Sequence, residues 1–314
     1  MYEDTDLVSV LMPAFKPEFL REALVSVLEQ SHEQLELLVG DNSGDPGIRR
    51  ILADYDDPRI TYVPSHLVTA GSVQINHQLL WQRARGRYVR YVYDDDVAYK
   101  RSTEVLLGLL RRHPHCAMAW HQRDVIDAGS RVTEREGLIG APGVLVMDRA
   151  MLDANLAAHM NFIGEPSFVM FDRARYPVFG FNRYDGFEFR FLWDVAAYLD
   201  ATMHGHAAGS AEFLGGFRKH GTQISTGASP NYVFGCVEWE VVYRQELVTG
   251  RLAPEKAYAA MVRVVQLYRA NRAKLPVLGA FHDRLMADLR DSRLAENAPA
   301  FFDAYRELHR TWNR

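Results

Sequence analysis

Three consecutive aspartates, Asp94-Asp95-Asp96, are the residues of this sequence whose type and spacing most directly suggest chemistry. Crowded carboxylates repel one another, and a hard divalent cation such as Mg²⁺ or Mn²⁺ neutralises them. Proteins usually hold Mg²⁺ with one or two carboxylates plus phosphate oxygens of a substrate, so a diphosphate would be the matching ligand. Taken alone, the triplet also fits a solvated acidic turn.

The elements around these aspartates alternate between strand and helix patterns. Short apolar runs predict buried strands at Leu7–Met12, Leu35–Val39, Ile60–Val63 and Tyr88–Tyr93, and apolar residues at helical spacing lie between them. Repeated βαβ units predict a parallel sheet with right-handed crossovers. Ligands bind such open sheets at the carboxyl ends of the strands, and the fourth strand runs directly into Asp94.

The composition is that of an ordinary globular protein. The 314 residues include 40 acidic and 36 basic side chains, for a net charge of −4, whereas proteins that bind nucleic acid by neutralising phosphates are usually more basic. Two cysteines make neither a disulfide framework nor a cysteine-based zinc site. No apolar stretch approaches the roughly 20 residues that span a bilayer, and no signal peptide is visible. We expect a soluble, cytoplasmic protein that binds no nucleic acid.

Several common catalytic signatures are absent from the sequence. It contains no G-x-G-x-x-G after a strand, no P-loop, no H-E-x-x-H and no G-x-S-x-G. This argues against a dinucleotide-dependent oxidoreductase, a P-loop phosphotransferase, a zinc protease and an ordinary serine hydrolase. The acidic loops at the carboxyl ends of the predicted strands remain as the candidate site.

The order of the motifs resembles the family 2 glycosyltransferases over residues 7–226. The opening VSVLMPAFKPEFLREALVSVLEQSHEQLELLVGDNSGD and the aspartate triplet, as the family's D-x-D element, carry the resemblance. Looser matches are Ala84-Arg85-Gly86, Gly164-Glu165-Pro166-Ser167, FLWDVAAYL and FRKHGTQIS. The resemblance implies an α/β, Rossmann-like A-type glycosyltransferase fold with a mostly parallel central sheet.

From about residue 232 onward the sequence pattern is almost purely helical and predicts a helical C-terminal extension. We therefore expect a nucleotide-sugar-binding half at 1–98, an acceptor-binding and catalytic half at 99–228 and a helical extension at 229–314. No flexible linker separates these parts, which predicts that they pack as one body.

The resemblance implies a nucleotide-binding role for residues that follow the first two strands. Pro13, Ala14 and Phe15 would frame the base, with Phe15 stacking on it where the family more often has tyrosine. Asp41 would accept a hydrogen bond from the imide N–H of the base, which favours uracil or thymine because a carboxylate suits a donor edge. Asp41 also fits an Asx-turn residue in its DNSGD segment.

The resemblance also implies a site for Mn²⁺ or Mg²⁺ with the donor diphosphate. Asp94 would contact the ribose or the water shell of the metal, and either Asp95 or Asp96 would ligate the metal. His220 lies where the family often has a histidine that ligates the metal or touches the diphosphate. Arg218 beside it could screen the charge of the leaving diphosphate.

Asp194 is the implied catalytic base. An inverting transfer needs a carboxylate that takes the proton of the acceptor hydroxyl while its oxygen attacks the anomeric carbon. In the family this base opens a helix in a pattern like D-W-D-L-W-L, and DVAAYL from Asp194 fits that spacing. Trp193 stands where the family usually has glutamate, so Asp185 and Glu188 remain rival bases.

The expected function is a metal-dependent, inverting glycosyltransferase of polysaccharide or glycoconjugate biosynthesis. It would transfer a sugar from a UDP- or dTDP-linked donor to a hydroxyl of a glycan, a lipid-linked glycan or a small molecule. The alternatives are a nucleotide-sugar-binding subunit without turnover and, with less support, a nucleotidyltransferase. A homodimer contact through the C-terminal helices and a peripheral membrane contact through their arginines also stay open.

Overall fold

The computed structural model describes residues 6–44, 46–64, 73–140, 143–180, 182–221, 223, 227 and 229–312. The motif at 217–225 therefore lies partly outside the described residues. The chain forms two compact units. The sheet unit comprises Met1–Asp148, Phe162–Asp185 and Asp194–Gln223, and the helical unit comprises Arg149–Asn161, Gly186–Trp193 and Ile224–Arg314.

The sheet unit begins with the predicted alternation of strands and helices. Its first half contains β1 (Val8–Ala14), α1 (Leu20–Leu28), β2 (Leu35–Asp41), α2 (Pro46–Leu52), β3 (Ile60–Val63), α3 (Val73–Arg83) and β4 (Tyr88–Tyr91). Its second half contains β5 (Val97–Ala98), α4 (Ser102–Arg112), β6 (Cys116–Ile126), β7 (Val132–Glu136), β8 (Val144–Met147), β9 (Val169–Asp172), β10 (Arg183–Tyr184), α6 (Trp193–Ala201, from Asp194 on) and β12 (His206–Arg218).

Ten of the described strands form one large mixed sheet in the order β3-β2-β1-β4-β9-β6-β12-β5, with β7 beside β6 and β8 beside β12. Strands β1 to β4 are parallel, as predicted. β9 runs antiparallel between β4 and β6, and β12 is parallel to β6. The carboxyl ends of β1, β2, β4, β6 and β12 therefore lie at one edge, which confirms the predicted mostly parallel sheet.

The core of the sheet unit explains the continuous apolar runs of its first strands. All seven residues of β1 and all seven of β2 are buried, as expected for parallel strands that are covered on both faces. From α1, Leu20, Ala23, Leu24 and Val27 join the same buried cluster. The helical spacing of these residues therefore points one face of α1 at the sheet.

Two segments differ from the sequence-based prediction. The pattern at 187–199 predicts one helix, but residues Phe187–Glu188 form β11 and the helix α6 begins at Trp193. β12 was not predicted, because its sequence contains three glycines and its pairing with β6 has three irregularities of register. Glycine lacks a side chain that packs in a strand, and it often marks a place where another group approaches the backbone closely. At Gly209 this group is the ring of Trp120, because a Cβ here would lie 2.2 Å from it.

The helical unit contains α5 (Arg149–His159), β11 (Phe187–Glu188), α7 (Tyr232–Val248), α8 (Pro254–Asn271), α9 (Leu278–Arg290) and α10 (Ala298–Thr311), which confirms the predicted helical C-terminus. Most of α7 is buried. Its Arg244 pairs with Glu240 at 2.7 Å and with Asp288 at 2.6 Å, and a buried guanidinium is stable because both carboxylates compensate its charge. In the described part of the chain, no helix is both long and apolar enough to cross a membrane.

Candidate active site

The sheet unit brings the predicted site residues to the same edge of the sheet. Ala14 is the last residue of β1, Asp41 the last of β2 and Arg218 the last of β12, and the aspartate triplet begins three residues after the end of β4. Because these strands are parallel, their carboxyl ends meet where open α/β sheets bind ligands. The three aspartates nevertheless have different contacts.

Asp94 links the aspartate loop to the segment after β1. Its Oδ2 accepts the backbone N–H of Phe15 at 2.6 Å and of Lys16 at 2.8 Å. Burial raises the pKa of Asp94 to about 7, the charge of Asp95 adds to this effect, and the two N–H groups oppose it. Asp94 therefore holds the two loops together, and Phe15, which is half-buried, is positioned through its own backbone.

Asp96 is the most deeply buried of the three aspartates. Its Oδ2 accepts the hydroxyl of Ser167 at 2.5 Å, and its Oδ1 accepts the backbone N–H of Arg218 at 3.1 Å. Burial raises the pKa of Asp96 well above its usual range, and the charges of Asp95 and Glu165 raise it further. A cation beside this loop would favour the ionised carboxylate.

Asp95 is the aspartate that faces the predicted histidine. Nε2 of His220 lies 3.0 Å from Oδ2 of Asp95, and the Asp95 side chain is 28% exposed. The His220 ring packs 4.9 Å from the ring of Phe19, which holds the imidazole in place. A carboxylate oxygen and an imidazole nitrogen are thus adjacent at the mouth of the aspartate loop.

This donor set fits a divalent cation that is shared with a substrate. Within the described ranges, no group of three or more histidine, cysteine or acidic side chains is arranged to hold a metal by itself. Mg²⁺ does not require such a group, because it commonly takes one or two protein carboxylates and completes its coordination with substrate phosphates and water. Asp95 and His220 would be its protein ligands here, with Asp96 beside them. Metal binding stays a prediction.

Arg218 organises the aspartate loop. Its guanidinium is fully buried, donates from Nε to the carbonyl of Asp95 at 2.8 Å and pairs through Nη2 with Glu22 at 2.7 Å. It also donates to the hydroxyl of Ser130 at 2.9 Å and lies over the ring of Phe19. A contact between Arg218 and the diphosphate stays a prediction.

Asp41 forms the Asx-turn that was considered from the sequence. Its Oδ1 accepts the N–H of Ser43 at 3.0 Å, which is the Asx-turn, and the hydroxyl of Ser43 at 2.7 Å. Its Oδ2 accepts the hydroxyl of Tyr62 at 2.9 Å. A carboxylate has about four acceptor positions, so it retains capacity for one further donor. The predicted contact with a base therefore stays a prediction.

Sequence reasoning missed Asn42, which follows Asp41. Its side chain is buried, and both its amide nitrogen and its amide oxygen are without hydrogen-bond partners among the described residues. Buried amides are normally paired. Asn42 thus offers one donor and one acceptor beside a carboxylate that can accept. The only sequence signal was its position in the turn cluster after β2.

Asp194 is the second residue of α6. Its Oδ1 accepts the N–H of Val195 at 2.8 Å, and the residue is half-buried. The negative charge of Asp194 contributes to the raised pKa of both Tyr93 and Tyr198, after the larger effect of burial, and the charge of Asp96 also contributes at Tyr93. Asp194 and the aspartate loop therefore share Tyr93 as a neighbour.

The rival bases Asp185 and Glu188 lie outside helix α6, which carries Asp194. Asp185 has a positive φ of 49° in the segment after β10, and Glu188 is an exposed residue of β11 in the helical unit. Two other polar residues of the sheet unit, Asn76 and Arg90, have contacts within the fold. Asn76 donates to the carbonyl of Gly40 at 2.9 Å, and fully buried Arg90 donates to Ser102 at 2.8 Å. Both have contacts that stabilise the sheet unit.

Comparison with known proteins identifies the class. Residues 9–174, more than half of the chain, match the model of glycosyl transferase family 2. In three dimensions, S. aureus TarS (residues 1–349) aligns over 96% of this chain and 91% of that chain, with a TM-score of 0.61 at 15% identity. The same TarS fragment with UDP-GlcNAc gives a TM-score of 0.58. The fold is therefore the A-type glycosyltransferase fold.

Curated relatives agree with this class. The putative teichuronic acid biosynthesis glycosyltransferase TuaG of Bacillus subtilis (strain 168) is 30% identical over 148 residues, which are 46% of this chain and 57% of TuaG. WfgD of Escherichia coli, a UDP-Glc:alpha-D-GlcNAc-diphosphoundecaprenol beta-1,3-glucosyltransferase, is 26% identical over 111 residues, 35% of this chain and 43% of WfgD. The chain thus spans about half the length of these relatives. It belongs to glycosyl transferase family 2.

Proposed function

We propose that this chain is a metal-dependent, inverting glycosyltransferase that moves a sugar from a nucleotide-diphosphate donor to an acceptor hydroxyl in glycan biosynthesis. The observation that carries the proposal is the arrangement around the aspartate loop. Asp95 faces His220 at 3.0 Å, Asp96 is held by Ser167, and Asp194 shares the neighbour Tyr93 with Asp96. Together they supply candidate groups for the leaving diphosphate and for the acceptor proton.

Asp194 would act as the general base. The acceptor oxygen forms a bond to the anomeric carbon while the bond from that carbon to the diphosphate oxygen breaks, and the acceptor proton passes to the carboxylate of Asp194. Attack opposite the leaving group inverts the anomeric configuration, and no covalent enzyme intermediate is required. A divalent cation held by Asp95 and His220 would stabilise the negative charge of the leaving diphosphate.

The donor is proposed to carry uracil or thymine. Asp41 can accept one more hydrogen bond, and Asn42 has a buried amide without a partner among the described residues. The imide edge of uracil or thymine presents one N–H donor between two carbonyl acceptors, which complements a carboxylate and an amide. Two similar proteins support this choice, since WfgD is a UDP-Glc-dependent glucosyltransferase by name and the structural neighbour TarS was crystallised with UDP-GlcNAc.

The first test is thermal unfolding with UDP, dTDP, GDP and CMP, each with and without Mn²⁺. A ligand at a hundred times its dissociation constant stabilises the folded state by about 2.7 kcal/mol, which is a visible shift in Tm. We expect a manganese-dependent shift with UDP or dTDP. The Asp95→Ala/Asp96→Ala double variant should lose it, and a shift that survives in this variant would contradict the metal site.

The second test addresses the base. Asp194→Asn keeps the shape of the side chain but removes its ability to accept the acceptor proton. Because general base catalysis contributes about 10²–10⁴-fold, kcat should fall within that range, while the affinity for UDP with Mn²⁺ stays as in the wild type. Asp185→Asn and Glu188→Gln are the matched controls. An unchanged kcat in Asp194→Asn would refute Asp194 as the general base. A loss of kcat in Asp185→Asn or Glu188→Gln would instead assign that role to the residue changed.

Donor hydrolysis without acceptor separates an enzyme from a binding subunit. Transferases usually release some nucleotide slowly when only water is available, whereas a pure binding protein releases none. We expect slow, manganese-dependent release of UDP from the matching donor. Binding without any release, with or without candidate acceptors, would support a non-catalytic nucleotide-sugar-binding subunit.

A further inference from the structure

The segment Gly164–Ser167 joins two parts of the candidate site within the sheet unit. At one end the hydroxyl of Ser167 donates to Asp96 at 2.5 Å. At the other end the carbonyl of Gly164 accepts the hydroxyl of Tyr198 at 2.8 Å, and Tyr198 lies one helical turn after Asp194 on the same face of α6. Glu165 therefore stands between the aspartate loop and the helix that carries the proposed base.

Glu165 is paired with a buried arginine. Nε of Arg123, a residue of β6, lies 2.9 Å from Oε2 of Glu165, and the two side chains are 7% and 25% exposed. The guanidinium also approaches the carbonyl of Ile163 at 3.5 Å and lies over the ring of Phe168 at 6.0 Å. The guanidinium is thus held by packing, whereas part of the carboxylate reaches the surface.

The backbone is shaped to accommodate this pair. Gly164 has a φ of 90°, and a Cβ at this position would lie 2.2 Å from Nη1 of Arg123. A side chain is excluded here both by the backbone conformation and by the guanidinium. The glycine lets the backbone of 163–165 fit closely against Arg123, which orients the neighbouring carboxylate of Glu165.

Glu165 lies near two groups of the candidate site. Its charge contributes to the raised pKa of Asp96 and of Tyr198, after the larger effect of burial in both cases. Arg123 compensates part of this negative charge. A ligand that donates hydrogen bonds to the exposed part of the carboxylate would compensate more of it.

We propose that Glu165 and Arg123 bind hydroxyl groups of the sugar that is transferred. This inference rests on the proposed function. An inverting transfer places the sugar between the leaving diphosphate and the base, and Glu165 lies between Asp96 and the turn of α6 that begins at Asp194. The carboxylate accepts hydrogen bonds from one or two hydroxyls, and the guanidinium fixes the carboxylate and donates to a sugar oxygen.

The pair would then determine which sugars are accepted. A site built to hydrogen-bond a substrate hydroxyl discriminates strongly against an analogue without it, because the polar groups of the protein are left unpaired. The discrimination concerns the sugar and not the nucleotide. Its signature is a change in the affinity for the nucleotide sugar relative to the affinity for the free nucleotide.

The experiment compares the dissociation constants of UDP and of UDP-glucose, UDP-galactose and UDP-GlcNAc by calorimetry with Mn²⁺. In Glu165→Gln we expect UDP to bind no more weakly than in the wild type, because a negative charge near the diphosphate is removed. The preference for the best UDP-sugar over UDP should fall at least about tenfold, as one charged hydrogen bond is lost. Arg123→Lys keeps the charge but not the planar fork and should also reduce the preference.

Controls separate recognition from folding. Arg87→Lys changes another arginine–carboxylate pair of the sheet unit, with Asp172 at 2.7 Å, and should keep the wild-type preference. Deoxy analogues of the best donor add a second measurement: the analogue lacking the bound hydroxyl should bind more weakly to the wild type but lose nothing further in Glu165→Gln. A structural role for Glu165 would not produce this pattern.

Three outcomes would overturn the inference. The first is an unchanged preference in both Glu165→Gln and Arg123→Lys, as judged on the folded protein. The second is a wild type that binds UDP with Mn²⁺ but prefers no UDP-sugar. These two leave the proposed nucleotide site in place. A wild type that binds neither UDP nor dTDP, nor any sugar linked to them, would instead refute the proposed function and the inference together.

Discussion

Three neighbouring aspartates that look equivalent in the sequence have different contacts at the scale of single residues. Asp94 accepts two backbone N–H groups, Asp95 faces a histidine, and Asp96 is held by a serine hydroxyl and one backbone N–H. Only Asp95 keeps appreciable exposure. Since a cation that is shared with a diphosphate must be reached from solvent, Asp95 is the aspartate that we expect to ligate it directly.

Ser167→Ala tests how far Asp96 depends on its serine. The substitution removes the hydroxyl that donates to Asp96 and accepts the N–H of Tyr93 at 3.0 Å. Leaving the buried carboxyl of Asp96 and the N–H of Tyr93 without this partner should lower the free energy of unfolding by about 1–3 kcal/mol. We also expect weaker binding of UDP with Mn²⁺, because Asp96 would no longer be held in place. Urea unfolding and calorimetry measure the two effects.

Ser9→Ala is the matched control for Ser167→Ala. The hydroxyl of Ser9 donates to buried Glu36 at 2.6 Å and accepts the N–H of Gly86 at 2.8 Å, so the same kinds of bond are lost in the same sheet. Ser9→Ala should lower the free energy of unfolding by an amount similar to that of Ser167→Ala, but it should leave the affinity for UDP with Mn²⁺ unchanged. Equal effects of both variants on UDP affinity would contradict a specific role for Ser167.

At the scale of elements, β12 carries distant parts of the chain to the aspartate loop. This strand is 13 residues long and is parallel to β6. It ends at Arg218, whose N–H binds Asp96, and His220 follows two residues later. The glycines that obscured β12 in the sequence are required by its neighbours, since a Cβ at Gly215 would lie 2.6 Å from the ring of Phe168.

Helix α7 of the helical unit contains an element-scale feature that pH can test. The carboxylate of Glu238 accepts the backbone N–H groups of Arg190, Phe191 and Leu192 at 2.6, 3.1 and 2.6 Å. Burial nevertheless raises the pKa of Glu238 to about 7 from a usual value near 4.5, and the three N–H groups only partly oppose this. Between about pH 4.5 and pH 7, the folded protein therefore retains a proton on Glu238 that the unfolded chain has released.

Glu238→Gln should change the pH dependence of stability. Because the pKa of Glu238 is raised in the folded state, its contribution to the free energy of unfolding is full below about pH 4.5. This contribution is lost as the pH rises through about 7. The full shift corresponds to about 3 kcal/mol. Urea unfolding between pH 5 and 7.5 should show a shallower decline for Glu238→Gln than for the wild type. Parallel declines would contradict a raised pKa.

At the scale of the whole molecule, the candidate site residues Pro13 to Phe15, Asp41, the aspartate triplet, Asp194, Arg218 and His220 all belong to the sheet unit. The match to the family covers residues 9–174, and the helices α7 to α10 lie beyond it. A homodimer contact and a peripheral membrane contact through these helices stay predictions.

Amide hydrogen exchange can test whether the nucleotide binds to the sheet unit. Binding of UDP with Mn²⁺ should slow amide exchange at the ends of β1 and β2 and in the loop 92–96, because ligand contacts suppress local opening. Helices α8 to α10 should change little over the same early time points. Asp95→Ala/Asp96→Ala with the same ligands is the control and should show the exchange of the free protein. Protection confined to α8 to α10 would contradict the site.

The sequence by itself determined the features that depend on local pattern. The continuous apolar runs of β1 and β2 predict buried parallel strands, and the aspartates after β4 then lie at the carboxyl edge for topological reasons. The strand signal is local because it needs only neighbouring residues. The helical pattern after residue 232 is local in the same way, and both predictions are confirmed.

Only the tertiary structure decided which side chains meet. His220 and Asp95 are 125 residues apart in the chain, and the partners of buried Arg218 come from α1 and from the segment after β6. The pairing of Arg123 with Glu165 depends on Gly164, whose absent side chain leaves room for the guanidinium. Such contacts are set by how the sheet and its loops pack, and no periodicity or spacing in the sequence encodes them.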